Sequence, residues 1–494
     1  MEISIPEDEG PNKYAFPIFS DLVDHFFPHS QKTATTWTAQ ESLVADLMPP
    51  EVFATAVSFC RRVGLMEALS NEDVVVDEDW ERKLDAAVER DEGVRNKIRT
   101  YFSKLEEENS CILNRFMEVA WLGMIWEGSG LDGVRDVWVD LVSVVPERSW
   151  KNSVQKLESL KKAVLIGTKS GGRVITARAL GIVGSHEALE ESLLVSMTEE
   201  LVAYAQGRDK TFGAEGGKVH GGILTLGFLL SRLKLRGRLD SLPKELVHRS
   251  VDAIVNALLE TKDQTILDAA VRSFSEISIF AVVHGDYFQN TYTRIMDRLT
   301  ELGKKGKEKA VLAIGHFALV FPSSHKPIVD ELLQALFAFH ENRQVEVNFA
   351  TGEAIACLAG GWQSKSVRGK VDIAGYENTK PIEGPAEERL GEVLETVVGK
   401  MSDTKPSLRK AVCVWMLCLL EYCGEEQQVK SRLGEMQKGF RGYLVDRDGM
   451  LVPFPQVLWI SLTSGFGGWN RACTGDRSER TNNGLRKGRQ GNQR

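Results

Sequence analysis

Apolar and polar positions along this chain follow the period of an α-helix. In residues 345–362, VEVNFATGEAIACLAGGW, one helix face collects apolar or small side chains, namely Val347, Ala350, Ala354, Ile355 and Leu358. Small side chains on or beside that face let a neighbouring helix approach closely. Gly360 and Gly361 favour a helix end, because glycine adopts positive φ at little cost. The pattern therefore predicts a helix packed against other helices.

The same pattern recurs at regular intervals. Six segments align with their centres at residues 181, 227, 275, 315, 356 and 417, so the successive gaps are 46, 48, 40, 41 and 61 residues. Four of these gaps lie at or near the roughly 40–47 residue period of HEAT and armadillo arrays. Second helices are expected between them, with apolar stripes such as Val247, Val251, Ile254 and Leu258. The predicted fold class is all-α, an α-solenoid of HEAT/armadillo-type helix pairs.

Four regions are predicted from these patterns. Residues 1–45 combine many aromatic residues with only short periodic pieces, which indicates a packed, irregular lead-in. Residues 46–166 contain helical, divergent repeats, with helices at about 80–90, 92–108, 110–127, 132–145 and 149–166. Residues 167–448 form the HEAT-like repeat array, whose longest gap reflects an insertion at 363–384. Residues 449–494 lose the helical period, so we expect an aberrant, poorly ordered tail, as a truncated or shifted reading frame would produce.

Composition and charge narrow the class of protein. Residues 1–150 hold 14 Lys and Arg against 29 Asp and Glu, a net charge of −15, whereas residues 151–448 are close to neutral. A groove for nucleic acid therefore has no general electrostatic support, and no nucleic-acid partner is expected. The seven cysteines lack paired spacing, which favours reduced thiols in a cytoplasmic or nuclear protein. No signal peptide or transmembrane segment is expected, so any membrane association would be indirect.

The candidate catalytic and binding motifs lack the sequence context that their chemistry requires. Residues 128–133 match GxGxxG, but a Trp-rich helical segment precedes them where a dinucleotide site needs a strand. Residues 167–173 are rich in glycine but lack the GK[ST] order of a phosphate-binding loop. His25 and His29 are separated by Pro28, which argues against a shared helix face. We therefore predict a protein that is not an enzyme and has no catalytic residues, no cofactor and no metal site.

Three cysteines on one helix also fail as a metal site. Cys413, Cys418 and Cys423 are spaced five residues apart, a rotation of roughly 500° from one to the next on an α-helix. They cannot face one ion, so buried thiols are predicted.

Three basic segments leave two interpretations open. They are a cluster at Arg232, Lys234, Arg236 and Arg238, a second at Lys304, Lys305, Lys307 and Lys309, and the insertion with Lys365, Arg368, Lys370, Tyr376 and Lys380. The clusters are interpreted either as solvated helix ends and loops or as contacts with an acidic partner. The insertion is interpreted either as a passive loop or as part of a binding face.

Several segments resemble a known family. They are LKKAVLIGTKSGGRVITARALGIVGS at 160–185, KVHGGILTLGFLLSRL at 218–233, VEVNFATGEAIACLAGGW at 345–362 and PSLRKAVCVWMLCLLEYCG at 406–424. They are similar to the large HEAT-repeat adaptor and scaffold proteins that associate with the 26S proteasome. The resemblance covers roughly residues 45–448. Members of that family are much longer, so the chain looks like an internal portion whose tail replaces the next helix.

The resemblance implies a binding function and no catalysis. It implies a cytoplasmic and nuclear adaptor that binds proteasome core and regulatory particle subunits and links them to other proteins through its solenoid surfaces. It implies no catalytic, cofactor-binding or metal-binding residues. The same architecture also serves nuclear transport receptors, which bind cargo and a small GTPase, and this class stays open as the alternative.

Overall fold

A computed structural model describes most of the chain. The described residues are 16–28, 49–70, 73–74, 76–125, 134–167, 170–207, 213–376, 379 and 387–444. The predicted tail at 449–494, most of the predicted lead-in at 1–45, the GxGxxG segment at 128–133, and His29 lie outside them. Within the described residues there are helices and turns but no β-strand. None of these helices is both long and apolar enough to cross a membrane.

In the described part of the chain, six α-helices precede the regular array. They are α1 (Phe19–Phe26), α2 (Pro50–Glu67), α3 (Trp80–Arg90), α4 (Glu92–Ile125), α5 (Val137–Val142) and α6 (Leu157–Lys162). Helix α1 lies in the region predicted to be irregular. Its Phe19 is fully buried and its ring contacts those of Phe102 and Phe116 in α4. The predicted break between 92–108 and 110–127 is present as non-helical backbone at Asn109 inside α4.

Large aromatic side chains form the core of this first part. The Trp121 and Trp138 rings meet edge to face at 5.1 Å, and those of Trp138 and Trp150 at 5.9 Å. All three side chains are buried. The tryptophans therefore join α4, α5 and the 3₁₀ turns before α6.

Helix pairs follow from residue 170 to residue 444. The first helices of the pairs are α7 (Ser170–Gly184), α9 (Gly213–Leu235), α11 (Gln264–Ile279), α13 (Glu308–Phe317), α15 (Val345–Gly360) and α18 (Pro406–Cys423). The second helices are α8 (Glu191–Gln206), α10 (Lys244–Glu260), α12 (Tyr292–Lys304), α14 (Lys326–Phe337), α17 (Glu387–Gly399) and α19 (Gln427–Leu444). A one-turn helix, α16 (Lys365–Arg368), lies in the insertion.

The pairs stack as two layers, as the sequence predicts. Each first helix packs on the next first helix, from α7 through α9, α11, α13 and α15 to α18. All six predicted segment centres fall in this first layer. The second helices cover it, and α8, α10 and α12 also contact one another in turn. The all-α solenoid predicted from the repeat period is confirmed.

Small residues let the first-layer helices approach closely. Gly315 of α13 faces Ala354 of α15, and a Cβ placed on Gly315 would lie 2.6 Å from the Ala354 Cα. Gly227 of α9 faces Ser273 of α11 in the same way. The close approach inferred from the small residues at 350 and 354 is therefore present, and it fixes the spacing between successive pairs.

We expect Gly315→Ala to lower the free energy of unfolding by about 1–3 kcal/mol, the usual cost of adding atoms to a closely packed core. Chemical denaturation followed by circular dichroism measures it. Gly391→Ala in α17 is the matched control, because no atom lies within 4 Å of a Cβ there. Since alanine favours helix, the control should raise stability by up to about 1 kcal/mol. Equal effects of the two substitutions would contradict the close approach.

Candidate functional site

The cysteines of the array are buried in the part of the chain that the structure describes. No group of three or more His, Cys, Asp or Glu side chains there could hold a metal ion. Cys413, Cys418 and Cys423 are all buried, which confirms the prediction of buried thiols. Burial raises the pKa of Cys413 and of Cys423 to about 12, so both are thiols and not thiolates.

One hydroxyl–imidazole contact lies inside the first layer. Ser275 Oγ on α11 is hydrogen-bonded to His316 Nδ1 on α13. The imidazole is 3% exposed, and burial lowers its pKa to about 3, so it stays neutral. Ser275 is half-buried and His316 is buried, so this contact joins two packed helices.

The first basic cluster is not a solvated helix end, and that interpretation is wrong. The Arg232 side chain is 1% exposed, and the Arg236 side chain is 2% exposed. Arg238 donates to the backbone carbonyls of Ser185, His186 and Leu189, which closes the turn after α7. Lys234 and Arg238 are half-buried. These arginines face the interior of the protein, where each has a specific acceptor.

The insertion is not a loop that projects into solvent. Its described residues are 363–376 and Thr379, and they lie across the helices of the array. We call residues 362–376 the strap. Its Val367, Val371, Asp372 and Ile373 are buried. The interpretation of the strap as a passive loop is therefore wrong, and its interpretation as part of a binding face stays a prediction. Lys380 and the remainder of 363–384, apart from Thr379, lie outside the described residues.

Asp372 of the strap is held by two arginines. Arg232 of α9 donates from Nε to Asp372 Oδ1 at 3.0 Å and from Nη2 to Oδ2 at 2.5 Å, a bidentate pair. Arg178 of α7 donates from Nε to the same Oδ2 at 2.6 Å. Burial raises the pKa of Asp372, but Arg232 and Arg178 lower it more, and the net pKa is about 2. The carboxylate is therefore charged at every physiological pH.

Arg232 makes further hydrogen bonds and also contacts two aromatic rings. Its Nη1 donates to Ser231 Oγ at 2.8 Å and to the Glu276 carboxylate on α11. The guanidinium lies over the rings of Phe228 and Phe280, 5.1 and 5.3 Å from their centroids. Burial lowers the pKa of Arg232, yet Asp372 and Glu276 raise it above its ordinary value. One buried cation thus connects α9, α11 and the strap.

The end of the strap has a second anchor. The Tyr376 ring lies 5.1 Å from the Arg236 guanidinium, which also donates to Glu147 Oε1 at 2.5 Å. His186 Nε2 lies 3.0 Å from that same carboxylate oxygen. Because His186 Nδ1 accepts the N–H of Ala188, the proton of the neutral ring is on Nε2 and points at Glu147. This anchor joins the strap to α9 and to the turns that follow α5 and α7.

The second basic cluster is exposed, as both of its interpretations allow. Lys304, Lys305, Lys307 and Lys309 all face solvent at the turn between α12 and α13. Lys305 pairs with Glu301 one helical turn away. Gly306 has a φ of +85°, which allows the tight turn. It lies against Gln344, the residue before α15. This cluster is available to a partner, unlike the first.

Comparisons with known proteins identify relatives of the chain. No protein-family model matches it. The human proteasome adapter and scaffold protein ECM29 is 26% identical over 340 residues, which are 63% of this chain and 18% of the human protein. The proteasome component ECM29 of Saccharomyces cerevisiae is 29% identical over 115 residues, which are 23% of this chain and 6% of that protein. The chain is similar in sequence to the ECM29 proteins.

The ECM29 of Schizosaccharomyces pombe, also described as a proteasome component, is 20% identical over 290 residues, 56% of this chain and 17% of that protein. Each match thus covers less than a fifth of the ECM29 relative, which agrees with the resemblance to an internal portion of a longer solenoid. Among solved structures, the karyopherin Kap121p bound to Pho4p is 11% identical with a TM-score of 0.39, over 90% of this chain and 49% of that one. The assignment of the fold therefore rests on the helix packing described above and not on this likeness.

We expect Asp372→Asn to lower the free energy of unfolding by about 3 kcal/mol, because Arg232 would stay buried with only part of its countercharge. Chemical denaturation measures this loss. Glu425→Gln is the control, since it breaks the exposed pair of Lys365 and Glu425 and should cost less than about 1 kcal/mol. A loss for Asp372→Asn no larger than that of the control would contradict the assigned network.

The pH dependence of the same pair has a definite sign. The pKa of Asp372 is about 2 in the folded chain, whereas the ordinary pKa of this carboxyl is 3.8. Its contribution is therefore fully present above pH 3.8 and is lost as the pH falls from there towards 2. The difference in stability between the wild-type chain and Asp372→Asn should narrow over that interval. A difference that is constant from pH 5 to the acid limit would show that the charge is not responsible.

Proposed function

We propose that this chain is a non-catalytic adaptor that binds the proteasome. It would contact core and regulatory particle subunits, stabilise their association and link them to other proteins. The observation that supports this proposal is the similarity to three ECM29 proteins whose names describe a proteasome adapter and scaffold or a proteasome component. Those names also favour the adaptor over the alternative of a nuclear transport receptor.

The proposed mechanism relies on surface and not on chemistry. A stack of helix pairs presents consecutive exposed helix faces and turns, so a large partner can be contacted at several points along the array. No nucleic acid and no cofactor are proposed as ligands, and any membrane association would be indirect. The proposed locations of the protein are the cytoplasm and the nucleus.

Affinity purification of the tagged chain from cell lysate tests the proposal. We expect core and regulatory particle subunits to be enriched, with mass spectrometry as the measurement. A version that lacks residues 449–494 should enrich them equally, because the tail lies outside the predicted array. Absence of proteasome subunits from both purifications would contradict the function. Binding that responds instead to a small GTPase and its nucleotide would favour the transport receptor.

The exposed lysine cluster at the turn between α12 and α13 is the proposed contact with an acidic partner surface. The triple substitution of Lys304, Lys307 and Lys309 by Glu should reduce recovery of proteasome subunits about tenfold, since like charges across an interface repel. The matched control substitutes Glu for Lys104, Lys244 and Lys430, which are also exposed and change the net charge equally. Equal recovery with both triple variants would remove the cluster from the interface.

A further inference from the structure

We propose that the strap, residues 362–376, is a clamp that fixes the curvature of the helix array. In a solenoid each repeat normally contacts only its neighbours, so the bend of the whole array is the sum of small rotations at successive interfaces. Contacts between repeats that are not neighbours remove that freedom. The strap makes such contacts along its whole length.

The strap contacts widely separated helices in order along its sequence. Lys365 pairs with Glu425, in the turn after α18, at 2.8 Å. Asp372 then binds Arg232 of α9 and Arg178 of α7. The N–H of Ala374 donates to the carbonyl of Val142, the last residue of α5, at 3.1 Å. A short segment therefore bridges from the last helix pair of the array to a helix that precedes the array.

Arg368 of α16 adds an electrostatic interaction between the strap and the start of α4. Burial raises the pKa of Glu92, the first residue of α4, but Arg95, Arg99 and Arg368 together lower it more. The strap therefore acts on a helix that precedes the array, in addition to the hydrogen bond from Ala374 to Val142.

Apolar contacts also hold the strap against the helices that it crosses. Val371 and Ile373 are buried on either side of Asp372, and Trp362 packs against the Phe280 ring at the end of α11 with their centroids 6.0 Å apart. Lifting the strap would expose these side chains and would leave Arg232 buried without Asp372. The seated strap is therefore favoured, because release would leave Arg232 with Glu276 as its remaining counterion and would expose apolar side chains.

The test compares Asp372→Asn with Gly315→Ala in the full chain. Both substitutions destabilise, but only the first touches the strap. Small-angle X-ray scattering should show a larger radius of gyration for Asp372→Asn than for the wild type, and no change for Gly315→Ala. Hydrogen exchange at the Ala374 amide should become about tenfold faster in Asp372→Asn, while amides inside α13 keep their wild-type rates.

A second variant covers the case in which Asp372→Asn fails to fold. Ala374→Pro removes the N–H donated to Val142 and leaves the buried charges in place. It should likewise increase the radius of gyration and speed up exchange in residues 371–373. Folded variants that keep the wild-type radius of gyration would overturn the clamp. So would an equal expansion in Gly315→Ala, because expansion would then report lost stability and not strap release.

Discussion

The strap depends on the buried carboxylate of Asp372, which is held between Arg232 and Arg178. The Arg232 side chain is 1% exposed, so it could not reach water without separating the helices around it, whereas the Arg178 side chain is 35% exposed. A stack of helix pairs without the strap would hold the charge of Arg232 with Glu276 as its remaining counterion. The strap is consequently a part of the core and not an addition to it, although it interrupts the repeat.

The regular part of the fold could be predicted because its cause is local. A 3.6-residue period, a small residue where the next helix approaches and a glycine at the helix end are all properties of one segment. Ala354 faces Gly315 for that reason, and the stripe from Val247 to Leu258 is buried as expected. Helix α1 was missed because eight residues contain too few turns for a period to be distinguished from a chance cluster of aromatics.

The strap could not be predicted, because its cause is not local. Asp372 is 140 residues from Arg232 and 194 from Arg178 in sequence, and its own segment has no helical period. One signal was nevertheless present in α9, where residues 221–230 carry no charged side chain on any face. A helix that is apolar all round is buried, so a charged residue within it needs a buried partner. That argument predicts a missing acid for Arg232 but does not identify it.

The same geometry bears on how an adaptor without chemistry could bind. A partner that touches several helix pairs loses affinity if the pairs must first be brought into register, because ordering them costs conformational entropy. If the strap fixes the bend as proposed, that cost is met during folding. The exposed turns, including the lysines after α12, would then be held at set distances from one another. On the two proposals taken together, Asp372 would contribute to binding by setting the positions of the exposed turns.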